Sequence, residues 1–152
     1  MVNAAPAYSV GDLVSPLSQS LVLTYKVQTA PIAKGAPVVL HATNITDGSV
    51  PGQVLTTTTA QDGTVIGIAT DSDAGTPNVV PVCQHGIVVC TATAAAIAQG
   101  SGVSSSGTAG SIMAVAASTT VAITYGLLNS VIGYAISNFT SAGDQGYVFV
   151  TK

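Results

Sequence analysis

The sequence predicts an all-β domain built from two similar β-units, with one short helix and an extended N-terminal arm. Three observations predict it: a run with strand alternation, an internal repeat, and short Val-, Ile-, Leu- and Thr-rich runs broken by turn formers. In Leu21-Val22-Leu23-Thr24-Tyr25-Lys26-Val27-Gln28, the residues Leu21, Leu23, Tyr25 and Val27 fall on one face and Thr24, Lys26 and Gln28 on the other. A period of two is that of a strand, since successive side chains point to opposite sides.

The repeat is the most informative feature. Ile32-Ala33-Lys34-Gly35 recurs as Ile97-Ala98-Gln99-Gly100, an offset of 65 residues. Val65-Ile66-Gly67-Ile68-Ala69 recurs as Val131-Ile132-Gly133-Tyr134-Ala135, an offset of 66. Both copies of the second motif run on into a polar loop holding Ala-Gly and then an apolar strand, Asn78-Val79-Val80-Pro81-Val82 or Tyr147-Val148-Phe149-Val150. Two motifs at matching offsets imply two similar β-units closing on one another, with pseudo-repeats at about 29–83 and 94–151. In the Ile-x-x-Gly turns, glycine takes a positive φ while isoleucine plugs the core beneath. Gly67 and Gly133, inside strands, suggest a bulge or a close backbone approach.

The remaining segments are less patterned. Residues 1–20, with Pro6 and Pro16 and little periodicity, are expected to form an extended arm, leaving 21–152 as the β-domain. The stretch 92–98 is expected to form a helix of about two turns. The hydroxyl-rich stretches 56–59 and 104–106 are expected to face solvent as strand or loop.

Composition narrows the function. The chain has 152 residues, of which 47% are hydrophobic and only 6% charged: Lys26, Lys34, Lys152 and six aspartates, with no arginine and no glutamate. An ordinary soluble domain carries roughly 25% charged residues. A folded monomer of this size exposes about 7,000 Å², so charges are spaced about one per 800 Å², close to one partner's share of a standard interface. Such a surface suits being covered by another protein. Three scattered lysines make no footprint for a phosphate backbone, so no nucleic-acid partner is expected. Residues 111–136 are apolar and long enough to span a bilayer, but Ser111, Thr124, Asn129, Ser130, Gly126 and Gly133 interrupt them and no Lys or Arg flanks them. Short strands fit better, and no membrane partner is expected. The N-terminus shows neither the basic nor the apolar region of a secretory signal.

Residues capable of chemistry are few. Cys83 and Cys90, if on one extended strand, lie about 23 Å apart, too far for a disulfide. Only a tight hairpin at Gln84-His85-Gly86 would join them, and two buried thiols in a reducing cytoplasm is the better expectation. His41 and His85 with these cysteines lack the paired spacing of zinc sites. Asp71-Ser72-Asp73 resembles part of a calcium loop but lacks its glycine and closing glutamate, so loop capping is expected instead. There is no Gly-x-Ser-x-Gly elbow and no phosphate-binding Gly-Lys-Ser/Thr. No enzyme activity, cofactor or metal is expected.

At the repeat motifs the chain resembles a family of tailed-bacteriophage capsid decoration, or cement, proteins. The resemblance runs over residues 29–152. It is carried by Thr29-Ala30-Pro31-Ile32-Ala33-Lys34-Gly35-Ala36-Pro37-Val38-Val39-Leu40, Val65-Ile66-Gly67-Ile68-Ala69, Gly86-Ile87-Val88-Val89, Ala96-Ile97-Ala98-Gln99-Gly100 and Ile132-Gly133-Tyr134-Ala135. The family's usual Gly-Asp and Glu-Gly stand here as Gly35-Ala36 and His85-Gly86. The resemblance implies a compact β-barrel-like or β-tulip domain, made in the bacterial host cytoplasm. It would sit on the outer capsid surface of the virion as a homo-oligomer, usually a trimer, and cement neighbouring major capsid protein subunits. It also implies an arm reaching across neighbouring subunits, so Val2, Pro6, Tyr8, Val10, Leu13 and Pro16 are the expected interface residues. Tyr8 is the candidate anchor, and Phe139, in a loop of the second unit, is either a further interface residue or core. The alternative is a phage tail or cell-surface adhesion module binding a receptor or glycan, which would need an exposed aromatic platform or a metal site.

Overall fold

In the computed structural model, the residues described are 8–16, 19–28, 31–41, 53–73, 79–93, 96–115 and 129–152. They contain the strands β1 (Leu21–Val27), β2 (Pro37–Leu40), β3 (Gln53–Thr56), β4 (Val65–Ala69), β5 (Val79–Thr91), β6 (Gly102–Ser105), β7 (Ile112–Ala114), β8 (Gly133–Ala135) and β9 (Gln145–Thr151). Almost no helix accompanies them, and the chain is all-β. The strands lie in the order β1-β3-β2-β4-β5-β9-β8-β6-β7, and β1 also pairs with β5, closing the first five into a barrel. Closure leaves few unpaired edges, a general solution for short, β-branched strands.

β5 organises the rest. Its 13 residues serve two barrels in succession. Residues 79–85 pair with β1, with Cys83 and Val82 also opposite β4, whereas residues 85–91 pair with β9. The hand-over falls at Gly86, whose φ of +141° is open to glycine and strained for other residues. Beyond it, β5-β9-β8-β6-β7 forms a second ring, in which a parallel bridge between Ala92 and Ile112 brings β7 back to the end of β5.

The two rings match place for place. Lys26 opposite Val79 corresponds to Thr91 opposite Gln145, and the parallel pair Val27 and Val54 corresponds to Ala92 and Ile112. Ile68 opposite Cys83 corresponds to Tyr134 opposite Phe149. The turn bonds repeat as well: the amide of Ala36 donates to Ala33 and that of Ser101 to Ala98, both at 3.1 Å. The second half of β5 therefore stands where β1 stands in the first unit. The last strand of one repeat continues directly into the first strand of the next.

Inside the first barrel Val27, Ile32, Val38, Val54, Val80 and Val82 are buried together. In the second barrel Ala92, Ile97, Val103, Ile112 and Val148 fill the corresponding positions, but Gly146 replaces Val80. The ring of Phe139 takes up the difference, since a Cβ on Gly146 would meet it at 2.8 Å. A smaller residue on the wall and a larger plug keep the packed volume constant, as a close-packed core requires.

Gly67 and Gly133 show the close approach expected of them. A Cβ on Gly67 would collide with the carbonyl of Cys83, and one on Gly133 with the carbonyl of Phe149. The strand register also shifts between Val38 and Val39, opposite Gly67 and Val65.

Several expectations are corrected. No helix occupies the described part of 92–98: Ala92 bridges Ile112 and Ile97 bridges Phe139, while 94–95 lie outside the described residues. The alanine-rich composition favoured helix locally, but the bridges to β7 and the Phe139 loop hold the chain extended. Ser104, Ser105 and Ser106 are buried, not solvent-facing. Ser105 is accommodated by bonds, donating to the Thr59 carbonyl and accepting from the Asp62 amide, both at 2.9 Å. Within 111–136 the described residues include β7 and β8, and no helix of the described chain is long and apolar enough to cross a membrane.

Candidate interaction surface

The surface is built from two parts, the N-terminal segment and the outer walls of the barrels. The described part of the expected arm does not extend away from the body. Residues 9–15 form a strap along the edge of β5 opposite β9. The amide of Gly11 donates to Val89 and that of Val14 to Ile87, both at 2.7 Å, while Val89 donates back to Asp12 at 3.1 Å. Leu13 bridges Val88 and packs against the core of the second barrel. Ser15 Oγ accepts from the amide of Ile87 at 2.9 Å and shares a 2.6 Å bond with the Ser20 hydroxyl.

An ion pair pins the strap to the first barrel. Lys34 Nζ lies 2.5 Å from Asp12 Oδ1, and Asp12 Oδ2 accepts from the amide of Ser9 at 2.7 Å. The Lys34 hydrogen bond and then the Ser9 amide hold the Asp12 carboxyl below the usual carboxylate range. Gly11 and Gly35 meet beneath this pair, each at positive φ, and a Cβ on either would collide with the other segment. The strap thus ties both barrels through one backbone crossing.

Of the expected interface residues, Val2 and Pro6 lie outside the described residues. Tyr8 and Pro16 are exposed, and Tyr8 meets Tyr147 edge-on with ring centroids 6.4 Å apart. Val10 and Leu13 are half-buried and face their own domain. Phe139 is a correction: it is 1% exposed and among the largest fully buried side chains. Its loop position suggested surface, but the loop turns inward through reciprocal 2.9 Å bonds between Phe139 and Ile97.

Asp62, Asp71 and Asp144 cap loops. Asp144 Oδ2 accepts from the amides of Thr140 and Ser141, at 2.7 and 2.9 Å, and from the Thr140 hydroxyl at 2.6 Å. Those bonds, the Thr140 hydroxyl foremost, lower its pKa to about 2. Burial pushes the Asp62 carboxyl up, but hydrogen bonds from Thr64 and Thr57 outweigh it and hold it low. Asp71 Oδ1 accepts from the Ser72 amide at 2.8 Å. Carboxylates that accept bonds from nearby amides and hydroxyls in this way stabilise their loops.

Cys83 and Cys90 are both free and buried on β5. Burial pushes the Cys83 thiol up to about 11 and the Cys90 thiol to about 12, which leaves neither a nucleophile. Among the described residues no three His, Cys, Asp or Glu side chains converge as a metal site would need. His85 instead lies edge-on to Phe149, with centroids 4.9 Å apart.

What sequence reading missed is an apolar stripe across the second barrel. Ile87, Phe149 and Tyr134 stand directly opposite one another on adjacent strands, with Tyr134 half exposed. Carrying the 65–66 offset onto Val22, Cys83 and Ile68 would have found it.

These features define a class: a tandem double β-barrel with a charge-poor surface and a strapped N-terminus. Comparison of the chain with protein-family models and with curated proteins found no match.

Proposed function

We propose that this chain is a structural virion protein that binds the outside of an icosahedral phage capsid and cements neighbouring major capsid protein subunits. It acts by assembly with itself and with the shell, and without catalysis. The observation that carries this reading is the surface. Leu21, Leu23, Leu40, Val79, Tyr134 and Ile136 are exposed on a chain with nine charged residues. Contiguous apolar surface marks sites that other proteins cover, and Leu21 and Leu23 share one face of β1. A shell strained by packaged DNA gains stability from any subunit that buries area across its seams. The motifs at residues 29–152 that resemble the cement family favour the same reading.

The test is co-sedimentation of the purified protein with undecorated phage heads. Saturable pelleting at a fixed stoichiometry, lost when residues 1–7 are removed from a domain that still folds, is the expected result. Protein that stays in the supernatant at all concentrations refutes head binding, and pelleting that survives the deletion refutes a role for those residues.

A further inference from the structure

The two barrels are joined front to back. The outer wall of the first barrel, formed by Val39, Val65, Ile68 and Cys83, belongs to the same buried cluster as Val88, Cys90, Ile132 and Val150 of the second. Of these, Val150 stands directly opposite Gly86 and Val88 lies two residues further on, where β5 enters the second barrel. The first barrel's wall therefore caps the second barrel's mouth, and Ile68 is 0% exposed as a result.

The same repeat places a second wall and a second mouth on the molecule. Tyr134 and Phe149 occupy on the second barrel the places of Ile68 and Cys83 on the first. Leu23 and Tyr25 occupy on the first barrel the places of Val88 and Cys90 on the second. Tyr134 is 50% exposed, where Ile68 is fully buried. Leu23 is 41% exposed and its neighbour Leu21 46%, where Val88 is fully buried. A chain of two repeats packed front to back leaves one front and one back uncovered. The mouth of the first barrel carries Leu21, Leu23 and Tyr25, with the Tyr25 hydroxyl accepting from Gln84 Nε2 at 2.8 Å.

We infer that the wall of the second barrel in one copy docks on the mouth of the first barrel in another copy, repeating between chains the packing that joins the two barrels within one. The contact is heterologous, Tyr134 and Phe149 against Leu21, Leu23 and Tyr25, and a head-to-tail contact of this kind builds a ring where its rotation closes. None of these five side chains carries a formal charge, so docking buries no ion that would need a partner. The occupant is a second copy because the wall that fits such a mouth is already seen in this chain, seated on the equivalent mouth 65 residues on.

This deepens the assembly reading above by naming the surfaces, and the two fail separately because the test uses the protein alone. Sedimentation velocity of the full chain is expected to show a concentration-dependent closed oligomer. Leu23→Asp and Tyr134→Asp, each folded by circular dichroism, are each expected to sediment as monomers. Mixed together at concentrations above those at which the wild type assembles, they are expected to form a dimer and nothing larger, since one intact wall and one intact mouth remain. Should either variant unfold, Leu21→Asp and Tyr134→Lys replace them. A wild type that stays monomeric, a variant that assembles like the wild type, or a mixture that stays monomeric each overturns the inference. Heads that fail to bind leave it standing.

Discussion

Gly35 and Gly100 are the same residue in two barrels. Each ends an Ile-x-x-Gly turn at a φ of +82° or +84°, and each donates its amide at 2.8 Å to the last residue of the next matching strand, Ala69 or Ala135. Their surroundings differ. A Cβ on Gly100 meets nothing within 4 Å, whereas one on Gly35 would collide with Val10 beneath the strap.

That difference sets the first prediction. Gly100→Ala should cost about 1–2 kcal/mol, the ordinary penalty for a left-handed alanine. Gly35→Ala should cost more, because it must also displace the strap, and the gap between the two in urea denaturation measures the strap's packing. Equal losses would mean that Val10 yields freely.

Phe139 plugs the second barrel above Gly146. Phe139→Ala should therefore destabilise the protein by about 3–5 kcal/mol, the usual loss for a core phenylalanine. Thermal unfolding followed by circular dichroism reads it. A stable variant that merely lost binding to its partners would restore Phe139 to the interface.

Besides its backbone bonds to β5, the strap is pinned to the first barrel by the ion pair of Asp12 and Lys34. Both side chains are partly exposed, so global stability should hardly change in Lys34→Ala. Local opening should respond instead. Hydrogen exchange at the Gly11 and Val14 amides, which bond to β5, should accelerate several-fold while exchange in β9 stays constant. Uniform acceleration across both would indicate that the strap and the second barrel open as one unit.

Acid should act through Asp144. Its folded pKa of about 2 lies below its ordinary 3.8, because the Thr140 hydroxyl and the loop amides favour the charged form. A lowered folded pKa contributes stability above the unfolded value, and that contribution is lost as pH falls through the folded one. Stability should fall between about pH 4 and pH 2, and Asp144→Asn should flatten that slope in denaturant titrations. An unchanged slope would assign acid sensitivity to other carboxylates.

The thiols act at the opposite end of the pH scale. Cys83 and Cys90, raised by burial to about 11 and 12 from 9.0, remain protonated in the fold where the unfolded chain ionises. A raised folded pKa contributes stability below the unfolded value, and that contribution is lost as pH climbs toward the folded one. Native protein at pH 8 should resist alkylation and unfolded protein should take two labels, read by mass spectrometry. Rapid labelling of the native state would show that β5 opens locally.

Much of the architecture was legible in the residues alone. Alternation at Leu21, Leu23, Tyr25 and Val27 marked β1, and the offsets linking Ile32 to Ile97 and Gly67 to Gly133 marked two equivalent units. Both are local properties: side-chain period follows from backbone geometry, and a turn at positive φ selects glycine wherever it stands. The places of Phe139, Ser104 and the strap were settled only by tertiary structure. Phe139 lies inside because Gly146, opposite it in space, has no side chain. Ser105 lies inside because Asp62 and Thr59, more than forty residues away, satisfy it. Its neighbour Ser104 on β6 is carried inside with its Oγ unpaired among the described residues. Residues 9–15 lie along β5 because Val89 and Ile87 offer an open edge there. Burial depends on which distant residues the closing barrels bring together, and such pairings are written in no single stretch of the chain.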